Sequence, residues 1–407
     1  MSAGPRAVGG KLVTPLFVGM LFLWAVGTAA GVVRFTRGLG AVTAMNDGYP
    51  WGLWIAFDVV VGTGLASGGY AVALVAYVLN RGKLHPLVRP ALLTSFLGYS
   101  VAGVAIVFDV GRFWNLWKVP LLPRDWNGTS VLLEVALCVM AYVAVLVVEL
   151  TPALLEAARE GTGSLRFRAL VARVARPLDR VLPFVIALGL VLPTMHQSSL
   201  GALLLVARTK VHALWYSPLL PALFLLTSLG MGYAVVVVEA TFSAIGFGRV
   251  REARALGGLG RIAAGVSITF LVLRVGDALV RGSLSQAFVP GRQALLFWAE
   301  VALFAAPAFF LLQEKARTSA ALQLQGALLL LAAGAMYRID AYLVAFNPGQ
   351  HFTYFPSVGE LAITLGLVAT ETMAYLFFVR RFPILAGADA PVGATAVSAI
   401  AQEGAAS

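Results

Sequence analysis

The chain has 407 residues, 59% of them hydrophobic and 12% charged, where a soluble domain carries about 25% charged residues. This excludes an ordinary soluble core and fits a polytopic membrane protein. The net charge of +11 does not point to nucleic acid, because the basic residues lie between apolar runs and not along one stripe.

The first apolar run, Leu12 to Val33, follows Arg6 and Lys11. It is longer than the core of about 7–15 residues found in a signal peptide, so it reads as a retained first span. Apolar length, adjusted by Trp, Tyr and Arg flanks, predicts ten spans at roughly 12–34, 51–80, 88–111, 129–151, 181–206, 217–244, 258–280, 290–313, 319–345 and 357–380. The expected class is therefore all-α integral membrane, with one membrane domain over 1–382. The fifth span is interrupted by His196-Gln197-Ser198-Ser199. The segment from Arg159 to Arg180 reads as a helix on the inner membrane surface, or a helix that binds a partner. Residues 383–407 are rich in Ala, Gly and Ser and read as a disordered tail. Gly62, Gly64, Gly68 and Gly69 fall inside the second span, where they favour close helix packing over a phosphate cradle.

One set of loops carries roughly twice as many Lys and Arg residues as the other, and the richer side should be cytoplasmic. Both termini are then inside a bacterial inner membrane. Loops 35–50, 112–128, 207–216, 281–289 and 346–356 face out.

Ionisable residues inside spans are costly, which makes each one a functional candidate. Asp58 and Glu134 sit one to two turns inside the outer ends of their spans, and His196 and Gln197 lie in the outer half of the fifth. Asp109 and Arg112, three apart, form a natural ion pair at the outer end of the third span. Arg274 and Asp277 lie in the outer half of the seventh, Arg338 and Asp340 close the ninth, and Glu360 opens the tenth. Glu300 and Glu371 are deeper, and Glu149 and Glu239 lie near inner ends. Carboxyls at staggered depths are what a proton relay needs. The plainer alternative is a set of interfacial charges, snorkelling or paired.

Cys138 is the single cysteine. No iron–sulfur or thiolate zinc site can form within the chain, and any cluster must sit on a partner. Haem is not expected either, because of His85, His196, His212 and His351 only His196 falls within a predicted span. A quinone suits the remaining chemistry. It needs a donor near each oxygen, a proton source and aromatic walls. Trp51, Trp54, Tyr99, Phe108, Trp114 and Trp117 cluster at the outer ends with Asp58 and His196, although an aromatic belt explains each tryptophan equally well.

Several stretches taken together resemble the NrfD/polysulfide-reductase membrane subunits, in particular the HybB-type subunit of membrane-bound nickel–iron hydrogenases. They are PWGLWIAFD at 50–58, LHPLVRPALLTSFLGYS at 84–100, FDVGRFWNLW at 108–117, TSVLLEVALC at 129–138, MHQSSLGALLLVA at 195–207 and HALWYSPLLP at 212–221. The resemblance covers about 49–246; the last third matches mainly in its span pattern. It implies two four-helix bundles, spans 2–5 and 6–9, flanked by spans 1 and 10. It also implies a quinone-reactive subunit without haem, taking menaquinone or ubiquinone. A periplasmic ferredoxin-like iron–sulfur subunit would dock outside, joined to hydrogenase or other redox catalytic subunits. Asp58, Glu134 and His196 match the family's acidic and histidine positions. In this reading Trp54, Asp109, Arg112 and Gln197 help hold quinone or partner, and Glu149, Glu239, Arg274, Asp277 and Glu300 carry protons inward. Two rival classes remain open: a proton-coupled transporter and a pure membrane anchor.

Overall fold

The computed structural model describes residues 5–160 and 165–385, with side chains there except at 158–177 and 179. Among the described residues, ten helices are long and apolar enough to cross a membrane. They are α1 (Pro15–Arg37), α2 (Trp54–Val78), α3 (His85–Asp109), α4 (Val131–Glu160) and α5 (Leu165–Ala207), then α6 (Leu220–Phe247), α7 (Ala253–Val280), α8 (Arg292–Leu311), α9 (Ala320–Val344) and α10 (Val358–Arg381). Among the described residues there is no strand, only two isolated bridges. In lipid a spanning backbone must satisfy its own hydrogen bonds, and helices do so within each segment.

Local sequence sets the helix ends. Thr14 caps α1 ahead of Pro15, which lacks the N–H that a first turn leaves unpaired anyway. Ser357 and Glu360 form a reciprocal capping box at the start of α10. Gly248, with φ of 63°, ends α6 in the left-handed region.

Contacts run from α2 to α3, α3 to α4, α4 to α5, and α5 back to α2. A second closed circuit runs α6, α7, α8, α9 and back to α6. The α2–α6, α5–α6 and α2–α9 contacts join the two circuits. Outside them, α1 packs on α10, and α10 packs on α3. The glycines of α2 sit at close approaches: a Cβ on Gly69 would lie 2.6 Å from Ser95 Oγ, and one on Gly68 3.0 Å from Val236.

Three expectations change. The polar run at His196 does not interrupt the fifth span, because α5 is continuous through it. The surface helix expected from Arg159 to Arg180 is, over its described backbone, the start of that same long helix; residues 161–164 and the side chains of 165–177 lie outside the described residues. The tail does not begin at 383, since Ile384 and Leu385 are buried and the Leu385 carbonyl accepts a hydrogen bond from the Arg6 N–H. Residues 386–407, the rest of the expected tail, lie outside the described residues.

Candidate functional site

The first circuit encloses a polar group of residues. Thr63 Oγ1 donates to the Val59 carbonyl and lies 3.2 Å from His196 Nε2. Gln197 Nε2 donates to Thr63 Oγ1 at 3.0 Å and to Tyr99 Oη at 3.2 Å. The Tyr99 ring packs edge-on against both Tyr142 and His196. Two buried polar atoms here, His196 Nδ1 and Tyr142 Oη, have no hydrogen-bond partner. Buried polar groups are nearly always paired, so two unpaired atoms beside one ring make this group a candidate site.

Arg338 holds this group from the neighbouring helix. It is fully buried and donates to the Gln197 side-chain oxygen at 2.8 Å, the Val60 carbonyl at 2.5 Å, the Phe224 carbonyl at 2.8 Å and Thr227 Oγ1 at 3.2 Å. It forms no ion pair among the described residues. The sequence places it in the closing turns of the ninth span, expected over 319–345, with nothing to mark it as a centre of contacts. In the structure α9 continues beyond it as a π-helical turn, Asp340–Val344. Sequence reasoning misses Tyr142 as well, since a tyrosine in an apolar span gives no signal until its hydroxyl is seen unpartnered.

The other candidates fall in separate places. Asp58 is buried, but it faces α10, where its carboxylate accepts from Thr364 Oγ1 at 2.7 Å; its bond is to α10 and not to His196. Trp54 is fully buried, with its indole N–H on the Glu360 carbonyl and its ring against Phe108. Glu360 is an organising acceptor: it takes N–H groups of Ala44, Leu53 and Ser357 and the Tyr354 hydroxyl. Glu134 stands in the first turn of α4 beside a cavity of about 350 Å³, lined also by Trp126, Thr129, Ser130, Leu133 and Leu137.

The Asp109–Arg112 ion pair does not form. α3 ends at Asp109 and Val110 is extended, so the three-residue helical spacing is lost and Arg112 is exposed. The cation near Asp109 is Arg34 of α1, which donates to the carbonyls of Phe108 at 2.7 Å and Val110 at 2.8 Å.

In the second circuit Arg274 pairs with Glu300 at 3.4 Å, both 2% exposed, and Trp215 Nε1 donates to Glu300 at 2.6 Å. Asp340 approaches the same glutamate. Asp277 pairs with Arg281 at 2.7 Å at the C-terminal end of α7. Glu149 of α4 lies against Gly189 of α5, where a Cβ would come within 2.8 Å of the carboxylate. Glu239 accepts from Tyr375 Oη at 2.5 Å.

The chain is similar to other proteins along most of its length. It is 41% identical over 397 residues to the "Probable Ni/Fe-hydrogenase 2 b-type cytochrome subunit" of Escherichia coli K12, covering 95% of this chain and 96% of that one. It is 28% identical over 396 residues to the "Menaquinone reductase, integral membrane subunit" of Nitratidesulfovibrio vulgaris Hildenborough, covering 90% of each. A second protein of that organism is 33% identical over 386 residues, covering 92% of this chain and 95% of that one.

The first of these names includes a b-type cytochrome, against the expectation of no haem. A bis-histidine haem needs two imidazoles aimed at one another. His196 is buried against Thr63 and Tyr99. His85 opens α3 and packs on Tyr77, and His351 is exposed in a loop. His212 lies in the loop before α6, where its Nδ1 accepts from the Leu214 N–H and burial pushes its imidazole below the ordinary range. Only His196 therefore lies well inside a membrane helix, and the other three histidines sit at a helix start or in loops. The sequence profile described as "Polysulphide reductase, NrfD" matches residues 41–347, and with ten membrane helices and these relatives the chain belongs to that family, as a multi-pass membrane subunit of a redox complex.

Proposed function

We propose that this protein is the quinone-reactive membrane subunit of a respiratory oxidoreductase complex, most consistent with a hydrogenase. Electrons pass between a periplasmic iron–sulfur subunit on the outer loops and a quinone, menaquinone or ubiquinone, held near the outer ends of α2–α5. The orientation has both termini in the cytoplasm of a bacterial inner membrane. Haem is not part of this reading.

The observation that carries it is His196, an imidazole sealed in a membrane helix with one nitrogen paired to Thr63 and the other unpartnered. A quinone carbonyl accepts a hydrogen bond, and reduction to the quinol takes up two protons. Thr63 Oγ1 gives its one proton to Val59, so His196 Nε2 donates to Thr63. Nδ1 of the neutral imidazole is then an acceptor, placed to take a hydrogen bond from a quinol hydroxyl. The Tyr142 hydroxyl supplies a donor for a quinone carbonyl, and Tyr99 supplies an aromatic wall. The cavity beside Glu134 has the size of a small-ligand pocket and carries a carboxyl, two hydroxyls and an indole. It suits entry of the ring, with Glu134 as proton supply. Gln197 and Arg338 fix the imidazole's neighbours, and Asp58 handles protons on the α10 side. Trp54, buried on Glu360, supports the outer end of α2, and Asp109 and Arg112 belong to the surface that receives the partner. Glu149, Glu239, Arg274, Asp277 and Glu300 are the carriers for protons drawn from inside.

The test is His196→Gln in the assembled complex, with a short-chain quinone as substrate. Losing one hydrogen bond to the reacting oxygen should lower kcat/KM about tenfold or more while the partner chains still assemble. Unchanged turnover in an assembled complex would leave only an anchor. Solute uptake by the isolated subunit, without redox partners, would favour a transporter instead.

A further inference from the structure

The three carboxyls of Asp58, Glu371 and Glu239 belong to neither polar group described for the two circuits, yet all three meet one face of α10. Thr364, Glu371 and Tyr375 are separated by seven and four residues, so they share that face. At about 1.5 Å per residue they extend over roughly 16 Å of membrane depth. At the outer level, Thr364 Oγ1 is bonded to Asp58 of α2 at 2.7 Å. At the middle level, Glu371 lies against Gly98 of α3, close enough to Asp58 for the two charges to interact. A Cβ on Gly98 would stand 3.3 Å from the Glu371 carboxylate and 2.6 Å from Ala66, so the glycine keeps room for the acid between α2 and α3. At the inner level, Tyr375 Oη is bonded to Glu239 of α6 at 2.5 Å. Beyond Glu239, toward the inner surface, Arg249 pairs with Glu252 at 3.0 Å.

Two features separate this file from ordinary ion-pair packing. Among the described residues no lysine or arginine forms an ion pair with Asp58, Glu371 or Glu239, and Arg249, the cation that acts on Glu239 from farther off, pairs with Glu252, whereas Glu300 has Arg274. An acid without a fixed cation can gain and lose a proton without breaking a salt bridge. The file also bridges four helices, with α10 reaching α2, α3 and α6 in turn, so its levels are held by separate spans and not by one helix's own spacing.

We infer that protons drawn from the inner side travel to Asp58 along this face of α10, through Glu239, Tyr375 and Glu371. The inference rests on the quinone reading and gives its inward proton supply a route outside both helix circuits. Each quinone reduced to quinol takes two electrons from the iron–sulfur partner and two protons from the site. Every proton that leaves the Asp58 carboxyl is replaced from Glu371. Glu371 is recharged through the Tyr375 hydroxyl from Glu239, and Glu239 from the inner aqueous phase. The file then returns to its starting state with no net charge left in it.

The complete complex is reconstituted in vesicles, and quinone reduction is followed together with proton uptake from the side that carries Arg249 and Glu252. Glu371→Gln and Tyr375→Phe should each slow turnover about tenfold or more without changing KM for quinone. Glu371→Asp should recover part of it, and a small permeant weak acid such as acetic acid should restore the Gln variant. Phe377→Leu, at an exposed position on the far side of α10 from this face, should behave as wild type. Wild-type turnover that takes its protons only from the outer side, or full turnover in Glu371→Gln, overturns the route while leaving the quinone reading intact. Slowing that no weak acid relieves, with a raised KM, marks packing damage and also overturns it. A wild-type complex that reduces no quinone overturns both.

Discussion

Arg338 shows most clearly what one buried side chain does here. A guanidinium presents donors in a fixed planar fork, and in this protein the fork reaches acceptors on three other helices: Val60 of α2, Gln197 of α5, and Phe224 and Thr227 of α6. It therefore ties the two circuits together at the level of His196. Gly64 makes room for it, since a Cβ there would stand 3.1 Å from the guanidinium carbon. Arg338→Leu leaves several buried acceptors unmet, each costing about 1–3 kcal/mol, so thermal stability of the solubilised subunit should fall by roughly 3 kcal/mol or more. Arg338→Lys keeps the charge but not the fork and should recover only part of the loss. An unchanged melting temperature in the Leu variant would show that the network contributes no net stability.

At the scale of elements, α1 is held mainly by α10. Only 11% of the apolar window of α1 is buried. Helices in lipid associate mainly by close packing, and small residues allow it. Gly27 and Gly366 bring the two backbones together: a Cβ on Gly27 would lie 2.7 Å from Gly366 Cα and 2.8 Å from the Ala362 carbonyl oxygen. Gly366→Leu should lower the stability of the detergent-solubilised protein by about 1–3 kcal/mol through overpacking, while the same change at Gly19, where a Cβ meets nothing, should have little effect. Equal stability in both variants would mean that the helices are held elsewhere. The pair matters for function because α10 carries Thr364 and Tyr375, the side chains that reach Asp58 and Glu239. The α2 helix shows a different device. Its N-terminal part, Trp54–Val61, is wound as a π-helix, a form often found at functional sites. Periodicity gives no warning of it, because every residue there except Asp58 is apolar.

For the whole molecule, an even number of spans puts both ends on one side. The contacts agree within the described residues, since Arg6, Val8 and Gly9 donate to Leu385, Val379 and Arg380. Which side that is follows from the Lys and Arg bias of the loops. Reporter tags at the N-terminus and C-terminus should both be inaccessible to a membrane-impermeant label added from the periplasm. Labelling of the C-terminal tag alone would sink the ten-span arrangement. The class was legible from composition and the length of apolar runs, because a bilayer of fixed thickness demands runs of that length. The family was legible in the stretches between 49 and 246. The second-circuit site was legible only as scattered charges: nothing in the spacing of Arg274 and Glu300 marks them as a pair, and the nearer Asp277 turns to Arg281.

Sequence by itself determined that this is a ten-span membrane subunit with acids at graded depths, since hydrophobic length and the cost of charge in lipid are read one residue at a time. Tertiary structure decided which of those groups meet. It turned Asp58 toward α10 and away from His196, gave Asp109 the company of Arg34 in place of Arg112, and gave Arg338 acceptors on three other helices. The physical reason is that lateral contacts depend on how each helix is rotated and wound. A π-turn, a continued helix or a missing Cβ shifts that rotation without changing the apolar pattern from which a span is read.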